Sequence, residues 1–410
     1  MTFKDKNILI TGISGFVGAY LAERLIKEEA NVYGLLRRRT DGTVPSNISF
    51  HKIENDITTI TGDLTDITSI ANAIDKSEPD YVFHLGAQSF VPQSFNNPTE
   101  TEEINSKGTN NLLEAMRMKD SDARMVFAGS SEEYGLVISS NKQYQQVLNQ
   151  YKTIFPDLEE GQTHELPISE TNPLRPMSPY AISKVYGDYL TRNYYHSYGL
   201  ETVVSRAFNH EGAGRGKMFV TSVVTNQVMQ LKMGLTDKIT IGNVNAFRDW
   251  THIDDIINGY LLLATKANAG DVYNQGSMRT NSILSYILLS LEEAGYTVDS
   301  ISTYNDEKTI KEPTEMNNDK YYGVTFDKTK VDSMLLNDEI EYTIEDKGLK
   351  VDTNQGEVKV EFNPARFRPA EVPILFSNTE KIQKLGAKIE HSVSDIIKDQ
   401  LNFYLNRKNQ

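Results

Sequence analysis

The segment that follows the first apolar run places the tightest constraint on the fold. Asn7–Ile10 has the pattern of a buried strand, and Phe16–Lys27 has the pattern of a helix with one apolar face. The turn between them reads Thr11-Gly12-Ile13-Ser14-Gly15-Phe16-Val17-Gly18. Glycine lets a backbone turn sharply and approach a phosphate, whose charge then meets the helix N-terminus. The sequence therefore predicts a dinucleotide-binding turn, and the alternative is a glycine-rich turn without a ligand.

Strand and helix patterns alternate along the first half of the chain. Apolar residues at helical spacing predict further helices at Thr99–Arg117 and Pro179–His196. Short β-branched runs predict further strands at Asn31–Leu35, Ile57–Thr61, Tyr81–Leu85, Arg124–Ala128 and Glu201–Phe208. This alternation is typical of an α/β protein with a Rossmann-type doubly wound parallel sheet.

The second half of the chain is less regular, which suits a smaller C-terminal α/β substrate domain. We expect residues 1–208 to form the Rossmann domain and residues 209–410 to form mainly the substrate domain. Segments such as 242–264 are expected to return to the Rossmann core. Two stretches, near 136–165 and 304–361, look like insertions, and in the second one Glu339–Ile344 and Glu357–Phe362 are expected to pair as a hairpin.

Composition excludes several classes of function. The chain of 410 residues has no cysteine, so disulfides, thiolate nucleophiles and cysteine-ligated metals are excluded. Its 42 Lys+Arg against 56 Asp+Glu give a net charge of −14, which argues against nucleic-acid or anionic-membrane partners. With no leader or spanning segment evident, we expect a cytoplasmic protein. His84 and His210 lack a spaced partner of ligand type, so no metal is expected.

The end of the second predicted strand distinguishes the two nicotinamide dinucleotides. It runs into Arg37-Arg38-Arg39, with no carboxylate before Asp41. NAD usually needs an acidic residue at this point for the ribose hydroxyls, whereas the extra phosphate of NADP needs positive charge. The sequence favours NADP over NAD, and the alternative is a solvated basic turn. Asp63, after the third strand, could accept from the adenine amino group, although aspartate is also common in turns.

Tyr180 and Lys184 are spaced so that a helix places both on one face. Because a nearby ammonium favours phenolate, we expect Lys184 to lower the pKa of Tyr180 and make it a general base. The strand end before them supplies Ser130, whose hydroxyl can bind the reacting oxygen. It also supplies Glu132, a carboxylate that can move a proton beside a new carbonyl. The simpler interpretation of Glu132 is a solvated acid at the end of a strand.

Together these residues resemble the extended short-chain dehydrogenase/reductase family. Within that family the chain is most similar to the GDP-mannose 4,6-dehydratase branch, and the similarity covers most of the chain outside the two insertions. Further motifs carry this resemblance: His84–Val91 with Asn105, Gly108-Thr109, Phe208–Glu211, Arg215–Thr221, Gly242-Asn243, Arg248-Asp249-Trp250 with His252, and Phe367–Val372.

The resemblance implies a 4,6-dehydratase that converts GDP-mannose to GDP-4-keto-6-deoxymannose and returns its NADP unchanged. Tyr180 would take the C4 hydroxyl proton, Glu132 would move the C5 proton, and Lys184 would also hold the nicotinamide ribose. The implied cofactor-binding residues are Gly12, Ser14, Gly15, Phe16, Val17, Gly18, Arg37, Arg38, Asp63, Leu64, Leu85, Ala87, Tyr180, Lys184 and His210. The implied substrate-binding residues are Gln88, Ser89, Glu132, Asn209, Lys217, Val220, Gly242, Arg248, Arg368 and Glu371. The implied partners are a nucleotide diphosphate sugar and a second copy of the chain, as a homodimer or homotetramer.

The sequence departs from that branch in two places. Ser130 stands where the dehydratases usually carry threonine, although the hydroxyl is kept, and the loop ending at Arg215 has fewer arginines than usual. Related reductases share Ser-Ser-Glu-Glu-Tyr-Gly, so Glu132 alone does not separate the two activities. The alternatives are a nucleotide-sugar 4-reductase or epimerase with the same Tyr–Lys pair, and a non-catalytic dinucleotide sensor.

Overall fold

The computed structural model describes residues 3–38, 42–150, 165–367, 371–406 and 409, without the side chains of residues 146 and 150. Three residues named in the sequence analysis, Arg39, Asp41 and Arg368, lie outside the described residues. So do residues 151–164 of the first predicted insertion.

The strands occur along the whole described chain. In chain order they are β1 Asn7–Thr11, β2 Asn31–Leu36, β3 Ile57–Thr61, β4 Tyr81–His84, β5 Arg124–Ala128, β6 Thr202–Ala207, β7 Asn209–Glu211, β8 Lys238–Ile241, β9 Phe247–Arg248, β10 Trp250–His252, β11 Val272–Gln275, β12 Asn281–Ser282, β13 Val298–Thr303, β14 Thr309–Lys311, β15 Met316–Asn317, β16 Lys328–Thr329, β17 Gly348–Thr353 and β18 Gly356–Phe362.

The helices alternate with the strands in the first half and cover the smaller sheet in the second. In chain order they are α1 Phe16–Lys27, α2 Ser46–His51, α3 Ile67–Ser77, α4 Val91–Asn96, α5 Pro98–Glu102, α6 Gly108–Met118, α7 Asn141–Gln150, α8 Pro179–Tyr198, α9 Val220–Lys232, α10 Ile253–Lys266, α11 Ile283–Glu293, α12 Lys330–Leu336, α13 Glu380–Gln383 and α14 Val393–Leu405. A π-helical turn, Glu103–Lys107, joins α5 to α6.

Seven of the described strands form one parallel sheet in the order β11-β6-β5-β4-β1-β2-β3. This confirms the predicted Rossmann-type α/β fold, and β11 adds a strand that the sequence patterns did not predict. The order reverses between β1 and β4, where crossover connections leave in opposite directions. Ligands of such sheets bind at the carboxyl ends of the strands beside this point. The glycine turn follows β1 there, so the fold places it at the expected site.

Helix α8 begins where the sequence supplies a cap. The Ser178 side chain accepts from the backbone N–H of Ala181, and Pro179 occupies the first turn of α8. That helix ends at Gly199, whose φ of +77° is the left-handed conformation that glycine adopts without strain. The single predicted helix at Thr99–Arg117 is present as α5, the π-helical turn and α6.

A second, mixed sheet forms in the C-terminal half, in the order β14-β13-β17-β18-β8. The predicted strand Glu357–Phe362 lies within β18, but its hairpin partner is β17 and not Glu339–Ile344. The prediction was wrong because Tyr342 is buried and its backbone bonds to the side chain of Asn245, while Thr343 and Asp346 cap a short 3₁₀ turn. Those contacts take up the backbone groups that a strand would use for pairing.

The first insertion begins as buried chain. Leu136, Val137 and Ile138 are almost fully buried, and α7 packs Tyr144 and Val147 with Leu136 and Ile138 into a small apolar cluster. A buried ion pair joins the Arg175 guanidinium to both oxygens of Glu165, at 2.6 Å each. This ion pair fixes the described end of the insertion close to the start of α8. Among the described residues, no helix is both long and apolar enough to cross a membrane.

Candidate active site

The glycine turn after β1 is closely packed against the end of β4. Gly12 has a φ of +74°, and a Cβ at this position would lie 2.8 Å from the Cα and N of Gly86. A Cβ on Gly18 would lie 2.3 Å from the carbonyl oxygen of Gly12. The cap of α1 is Gly15, which offers no side chain to the first N–H groups of the helix. Within the described part of the chain, the turn therefore leads into a helix N-terminus that its cap residue does not cover, which suits a pyrophosphate.

A hydrogen-bonded chain beneath this turn holds the loop after β4. The Thr11 hydroxyl accepts from the N–H of Gly86 and donates to Nδ1 of His84, over 3.0 and 2.7 Å. On the other side, Nε2 of His84 donates to the Thr109 hydroxyl over 3.0 Å, and Thr109 donates to the carbonyl oxygen of Asn105. Burial lowers the pKa of His84 to about 3. His84 is thus a neutral structural histidine with its proton on Nε2.

Asn105 connects this loop to the helix that carries the Tyr–Lys pair. Its side chain accepts from the N–H of Gln88 and donates to the Gln88 carbonyl and to the Ser183 hydroxyl. Asn105 lies in the π-helical turn, a local irregularity that often marks a functional region. The Gln88 side chain bonds to the N–H of Phe90 and to Thr101, so the structure uses it to shape the loop.

The predicted contacts to the adenosine half lie after β2 and β3. Arg37 and Arg38 are exposed at the end of β2. Oδ1 of Asp63 accepts from the N–H and the hydroxyl of Thr65, over 2.9 and 2.8 Å, which leaves Oδ2 for another donor. Leu64 is buried, and its carbonyl accepts from Asn111. Leu85 and Ala87 follow β4 and are half-buried.

The end of β5 brings Ser130 to Tyr180. Ser130 caps a short 3₁₀ turn and shares a hydrogen bond with the Tyr180 hydroxyl. Both residues are buried, and burial raises the pKa of Tyr180 to about 12, while the bond from Ser130 acts in the opposite direction. Glu132, in the same turn, lies close enough for its charge to raise the pKa of Tyr180 further. The structure thus brings together Ser130, Glu132 and Tyr180.

The expected effect of Lys184 on Tyr180 is not present. The Lys184 ammonium donates to the carbonyl oxygen of Ala128 over 2.7 Å and lies 6.0 Å from the centre of the Tyr180 ring. Burial lowers the pKa of Lys184 itself to about 8. The prediction that the pKa of Tyr180 is lowered was therefore wrong, because burial of the phenol dominates.

A second cation lies near Tyr180. Arg215 lowers the pKa of Tyr180, and its guanidinium lies 3.6 Å from the centre of the Phe219 ring and 5.3 Å from that of Phe16. Nε of Arg215 is 3.3 Å from the Glu211 carboxylate. The arginine therefore joins the glycine turn to the loop before α9.

Several predicted substrate residues lie beyond β6. Arg248 donates to the carbonyl oxygens of Phe247 and Val372 and to the Glu371 carboxylate, the last over 2.9 Å, so two predicted substrate residues pair with each other. The side-chain oxygen of Asn209 is buried without a hydrogen-bond partner among the described residues. His210 donates from Nδ1 to the carbonyl oxygen of Phe208.

The remaining predicted substrate residues lie in loops or at element ends. Ser89 and Lys217 are exposed, and Val220 begins α9. A Cβ on Gly242 would lie 2.7 Å from the carbonyl oxygen of Arg366, so this glycine lets the loop that leads to residue 367 pass closely.

One group of described side chains could be considered as metal ligands. The candidate ligand atoms of His252, Asp254 and His391 lie within 4.8 Å of one another. The two imidazoles stack face to face, with centroids 4.1 Å apart and planes 19° apart. Their nitrogen lone pairs therefore lie in nearly parallel planes and do not converge on one point. Nδ1 of His391 is also bonded to Asp255. This arrangement does not suit a metal.

The glycine turn, the Tyr–Lys helix and the parallel sheet agree with sequence comparison. The sequence model of the NAD dependent epimerase/dehydratase family matches residues 8–276. The chain belongs to this family. It is accordingly a member of the extended short-chain dehydrogenases/reductases, as its motifs predict.

Several relatives match this chain over almost its whole length. GDP-mannose 4,6-dehydratase of Yersinia enterocolitica is 30% identical over 400 residues, which are 95% of this chain and 91% of the relative. Among solved structures, RMD from Pseudomonas aeruginosa complexed with NADPH has a TM-score of 0.64 at 22% identity, with 98% of this chain and 99% of that one covered. The UDP-glucose 4-epimerase of Thermus thermophilus in complex with NAD has a TM-score of 0.67 at 20% identity, with 97% and 99% covered. The structural matches support the fold alone.

Three residues that sequence reasoning did not select lie directly behind the Tyr–Lys pair. They are Glu133, Asp188 and Arg206, all almost fully buried. The signal was present, since Glu133 follows Glu132, Asp188 lies one helical turn after Lys184, and Arg206 is the one charged residue of its strand. Without the fold, nothing indicated that the three side chains meet.

Proposed function

We propose that this protein is an NADP-dependent nucleotide-sugar 4,6-dehydratase whose substrate is GDP-mannose. The observation that carries the proposal is the position of Glu132, a nearly buried carboxylate in the turn that also places Ser130 against Tyr180. Oxidation at C4 alone needs only the hydroxyl pair and the lysine. Elimination of water needs an additional proton carrier beside the reacting carbon, and Glu132 supplies one.

Tyr180 and Ser130 act on the C4 oxygen. Their hydroxyl groups lie within hydrogen-bond distance of each other. The C4 hydroxyl group, bound beside both, can accept a hydrogen bond from Ser130 and donate one to Tyr180. Tyr180 removes the C4 hydroxyl proton as the carbon becomes a ketone. Arg215 stabilises the phenolate, because its positive charge lowers the pKa of Tyr180.

Glu132 acts on the neighbouring carbons. A C4 ketone makes the C5 proton acidic, and Glu132 removes it. The same carboxyl group then donates this proton to the C6 hydroxyl, which leaves as water. Because one group performs both transfers, the proton passes from C5 to the leaving oxygen without a second acid. Once C6 has received hydride, C5 needs one proton, and Tyr180 supplies the proton that it took from the C4 hydroxyl, so the net change is the loss of one water.

The chain offers a site of the right chemistry for the dinucleotide. Gly12, Gly15 and Gly18 keep the space beside the α1 N-terminus free. The ammonium group of Lys184 on α8 reaches the end of β5, where it donates to the carbonyl oxygen of Ala128. A dinucleotide held there by the glycine turn and Lys184 would supply the hydride acceptor for C4 and the hydride donor for C6. The choice of NADP over NAD rests on Arg37 and Arg38, two cations at the end of β2 that can pair with a 2′-phosphate.

The proposal is tested by giving the purified protein GDP-mannose and NADP⁺ without any reductant. Loss of one water from the sugar, detected by mass spectrometry, with NADP⁺ unchanged in amount, is the expected result. A panel of GDP-, UDP-, dTDP- and CDP-hexoses tests the base. If no nucleotide sugar loses water, the dehydratase proposal is wrong.

Replacing Glu132 by glutamine separates dehydration from a 4-reductase or epimerase reaction. Glu132→Gln should reduce water elimination by about 100-fold or more, the typical contribution of a general acid–base group. Exchange of hydride between C4 and the cofactor should persist, because Tyr180 and Ser130 remain. Glu201→Gln is the matched control, since this exposed glutamate precedes β6 and lies at the amino ends of the strands, opposite the candidate site. Equal loss of both steps would instead assign Glu132 to structure.

The same chain is proposed to act as a homodimer or homotetramer. Ile182, Tyr186 and Tyr189 lie along one face of α8 and are 58%, 45% and 56% exposed. Family resemblance assigns this helix to a dimer interface, and a single apolar stripe of this kind suits helix packing between copies. Replacing Ile182 and Tyr189 by lysine should yield monomers in light scattering. If the double variant has the same molar mass in light scattering as the unmodified protein, this face of α8 is not the interface between copies.

A further inference from the structure

Gln400 is a buried side-chain amide in the last helix, α14, and the proposed reaction does not use it. It lies where α14 packs against α9 and α11, and it is almost fully buried. A buried amide is strongly disfavoured unless its polar atoms are paired, so its hydrogen-bond partners show what it holds. One end of the amide contacts the packed helices, and the other end points towards Arg215.

The oxygen of the amide is held by two hydroxyl groups. Oε1 of Gln400 accepts from the Tyr286 hydroxyl of α11 over 2.9 Å, and the Thr225 hydroxyl of α9 lies 3.2 Å from the same oxygen. All three side chains are buried. These contacts leave the NH₂ group of the amide on the opposite side.

The NH₂ group begins a chain of hydrogen bonds that leads to Arg215. Nε2 of Gln400 donates to the Thr221 hydroxyl over 3.1 Å, and Thr221 donates to Oε2 of Glu211 over 2.6 Å. The same Oε2 lies 3.3 Å from Nε of Arg215. An ionised carboxylate only accepts, so the Thr221 proton points to Glu211 and the hydroxyl oxygen accepts from Gln400. The direction of each hydrogen bond in this chain is therefore fixed.

Glu211 connects the hydroxyl to the guanidinium. It is the last residue of β7 and is almost fully buried, and its Oε2 lies between Thr221 and Arg215. A buried carboxylate keeps its orientation only while its partners hold it. Without the proton of Thr221, the carboxylate can turn, and Nε of Arg215 loses a fixed partner.

The backbone of the loop that carries Arg215 is held by other groups. Oδ2 of Asp399 accepts from the Ala213 N–H over 2.6 Å, and the Tyr20 hydroxyl donates to the Ala213 carbonyl oxygen over 2.9 Å. The Ser222 hydroxyl donates to the carbonyl oxygen of Arg215 over 3.1 Å. Because these bonds do not involve the amide of α14, the chain that begins there determines the direction of the arginine side chain and not the path of the loop.

The direction of Arg215 matters because of where the side chain lies. Its Cζ is 3.6 Å from the centre of the Phe219 ring and 5.3 Å from that of Phe16, the first residue of α1. Ring contacts attract a cation with little preference for direction, whereas the contact with Glu211 orients Nε.

We propose that Gln400 is a positioning residue of the active site, which orients the Arg215 side chain through Thr221 and Glu211. The inference rests on the proposed function in one respect, because that function uses Arg215 to stabilise the Tyr180 phenolate. Its claim about the direction of Arg215 holds whatever the substrate is.

Two substitutions on α9 provide a matched pair. Thr221→Val and Thr225→Val each remove one fully buried hydroxyl beside Gln400, with almost no change of shape, and they lie one helical turn apart. Of the two hydroxyls, that of Thr221 is the one bonded to Glu211. Thr221→Val should therefore release Arg215, whereas Thr225→Val should leave it in place, because the tyrosine hydroxyl still holds the amide oxygen. Gln400→Met should act like Thr221→Val.

The position of Arg215 is followed in the full chain by fluorine NMR, with 4-fluorophenylalanine in place of Phe219. Arg215→Ala supplies the resonance expected without a guanidinium beside the ring. Gln400→Met and Thr221→Val should move the resonance towards that of Arg215→Ala, and Thr225→Val should leave it unchanged. If Gln400→Met does not fold, Thr221→Val decides the question. An unmoved resonance in Thr221→Val overturns the inference, and so does an equal shift in Thr225→Val, which would indicate general loosening.

Turnover provides a separate test. In Gln400→Met and Thr221→Val, kcat for dehydration should fall about 10-fold, the change expected when a hydrogen bond to a charged group is lost. The Kd of NADP⁺ should change less than about twofold, because the loop backbone and the glycine turn are kept. In an Arg215→Ala background, Gln400→Met should lower kcat by less than about twofold, since a residue that acts through Arg215 then has nothing to orient.

A full 10-fold loss in the Arg215→Ala background would show that Gln400 acts by another route and would overturn the inference. A shifted fluorine resonance in Thr221→Val, in a protein that dehydrates no nucleotide sugar, would sustain the inference and refute the proposed function.

Discussion

Replacing Gly18 by alanine tests whether α1 must touch the glycine turn. Gly18 lies inside the helix, where alanine is favoured over glycine by about 1 kcal/mol. A Cβ at this position would lie 2.3 Å from the Gly12 carbonyl oxygen and 2.7 Å from Cα of Ile13, and both are backbone atoms that cannot rotate away. Overpacking of this kind costs about 1–3 kcal/mol. We therefore expect the free energy of unfolding to fall by about 0–2 kcal/mol, although helix propensity alone predicts a rise.

Cofactor affinity should respond more strongly than stability. The helix can relieve the overlap by moving away from the turn, which misaligns the N–H groups that would bind the pyrophosphate. Hydrogen bonds to a charged group contribute about 1.5–3 kcal/mol. The Kd of NADP⁺, measured by isothermal titration calorimetry, should therefore rise about 10- to 100-fold.

Gly199→Ala is the matched control for this experiment. Gly199 has a φ of +77°, and nothing lies within 4 Å of its Cβ position. Alanine there should lower the free energy of unfolding by about 1 kcal/mol through backbone strain and leave the Kd unchanged. If Gly18→Ala bound NADP⁺ normally and unfolded at higher denaturant, the close approach would not matter and the reasoning would fail.

Three further outcomes can be checked. Replacing Arg37 and Arg38 by glutamate should lower the ratio of NADP⁺ affinity to NAD⁺ affinity by about 10-fold or more, because two cations that can pair with the 2′-phosphate are lost. If calorimetric titrations give an unchanged ratio, the 2′-phosphate binds elsewhere. Glu165→Gln should lower the free energy of unfolding by about 3–5 kcal/mol in urea titrations, since it leaves the buried Arg175 charge uncompensated; a loss below that range would show that water reaches the pair. The free energy of unfolding should fall as the pH drops from about 6.5 to 3, because histidine binds a proton in that range in the unfolded chain and buried His84 does not. His84→Gln should make the free energy of unfolding less dependent on pH in this range.

The parallel sheet was predictable because each strand and helix has its own local signal. Val82 and Phe83 or Met125 and Val126 are buried on both faces of the sheet, so their runs are uniformly apolar, and the glycine turn marks the strand–helix junction. The Tyr180–Lys184 spacing was informative for the same reason, since one helical turn determines it.

The failures share a different physical cause. The position of Glu339–Ile344 depends on contacts between Tyr342 and Asn245, which are far apart in sequence. The cluster of Glu133, Asp188 and Arg206 depends on the packing of three separate elements. The direction of the Tyr180 pKa depends on burial, which a one-dimensional pattern does not report. Local periodicity predicts elements, but polar contacts between elements require the fold.

Two largely buried arginines, Arg215 near Tyr180 and the candidate substrate residue Arg248, explain how an acidic chain can accept an anionic ligand. Arg215 lies beside Glu211 and Arg248 beside Glu371, and both guanidinium groups are largely buried. A buried guanidinium without a partner would cost several kcal/mol, so these carboxylates stabilise the folded protein. A diphosphate that reaches Arg215 or Arg248 exchanges one anionic partner for another. Each of these ion pairs is neutral before the exchange, so the ligand meets no excess negative charge there. The net charge of −14 is spread over the whole chain, and salt screens charges more than about 10 Å away, so it has little influence on binding at the site.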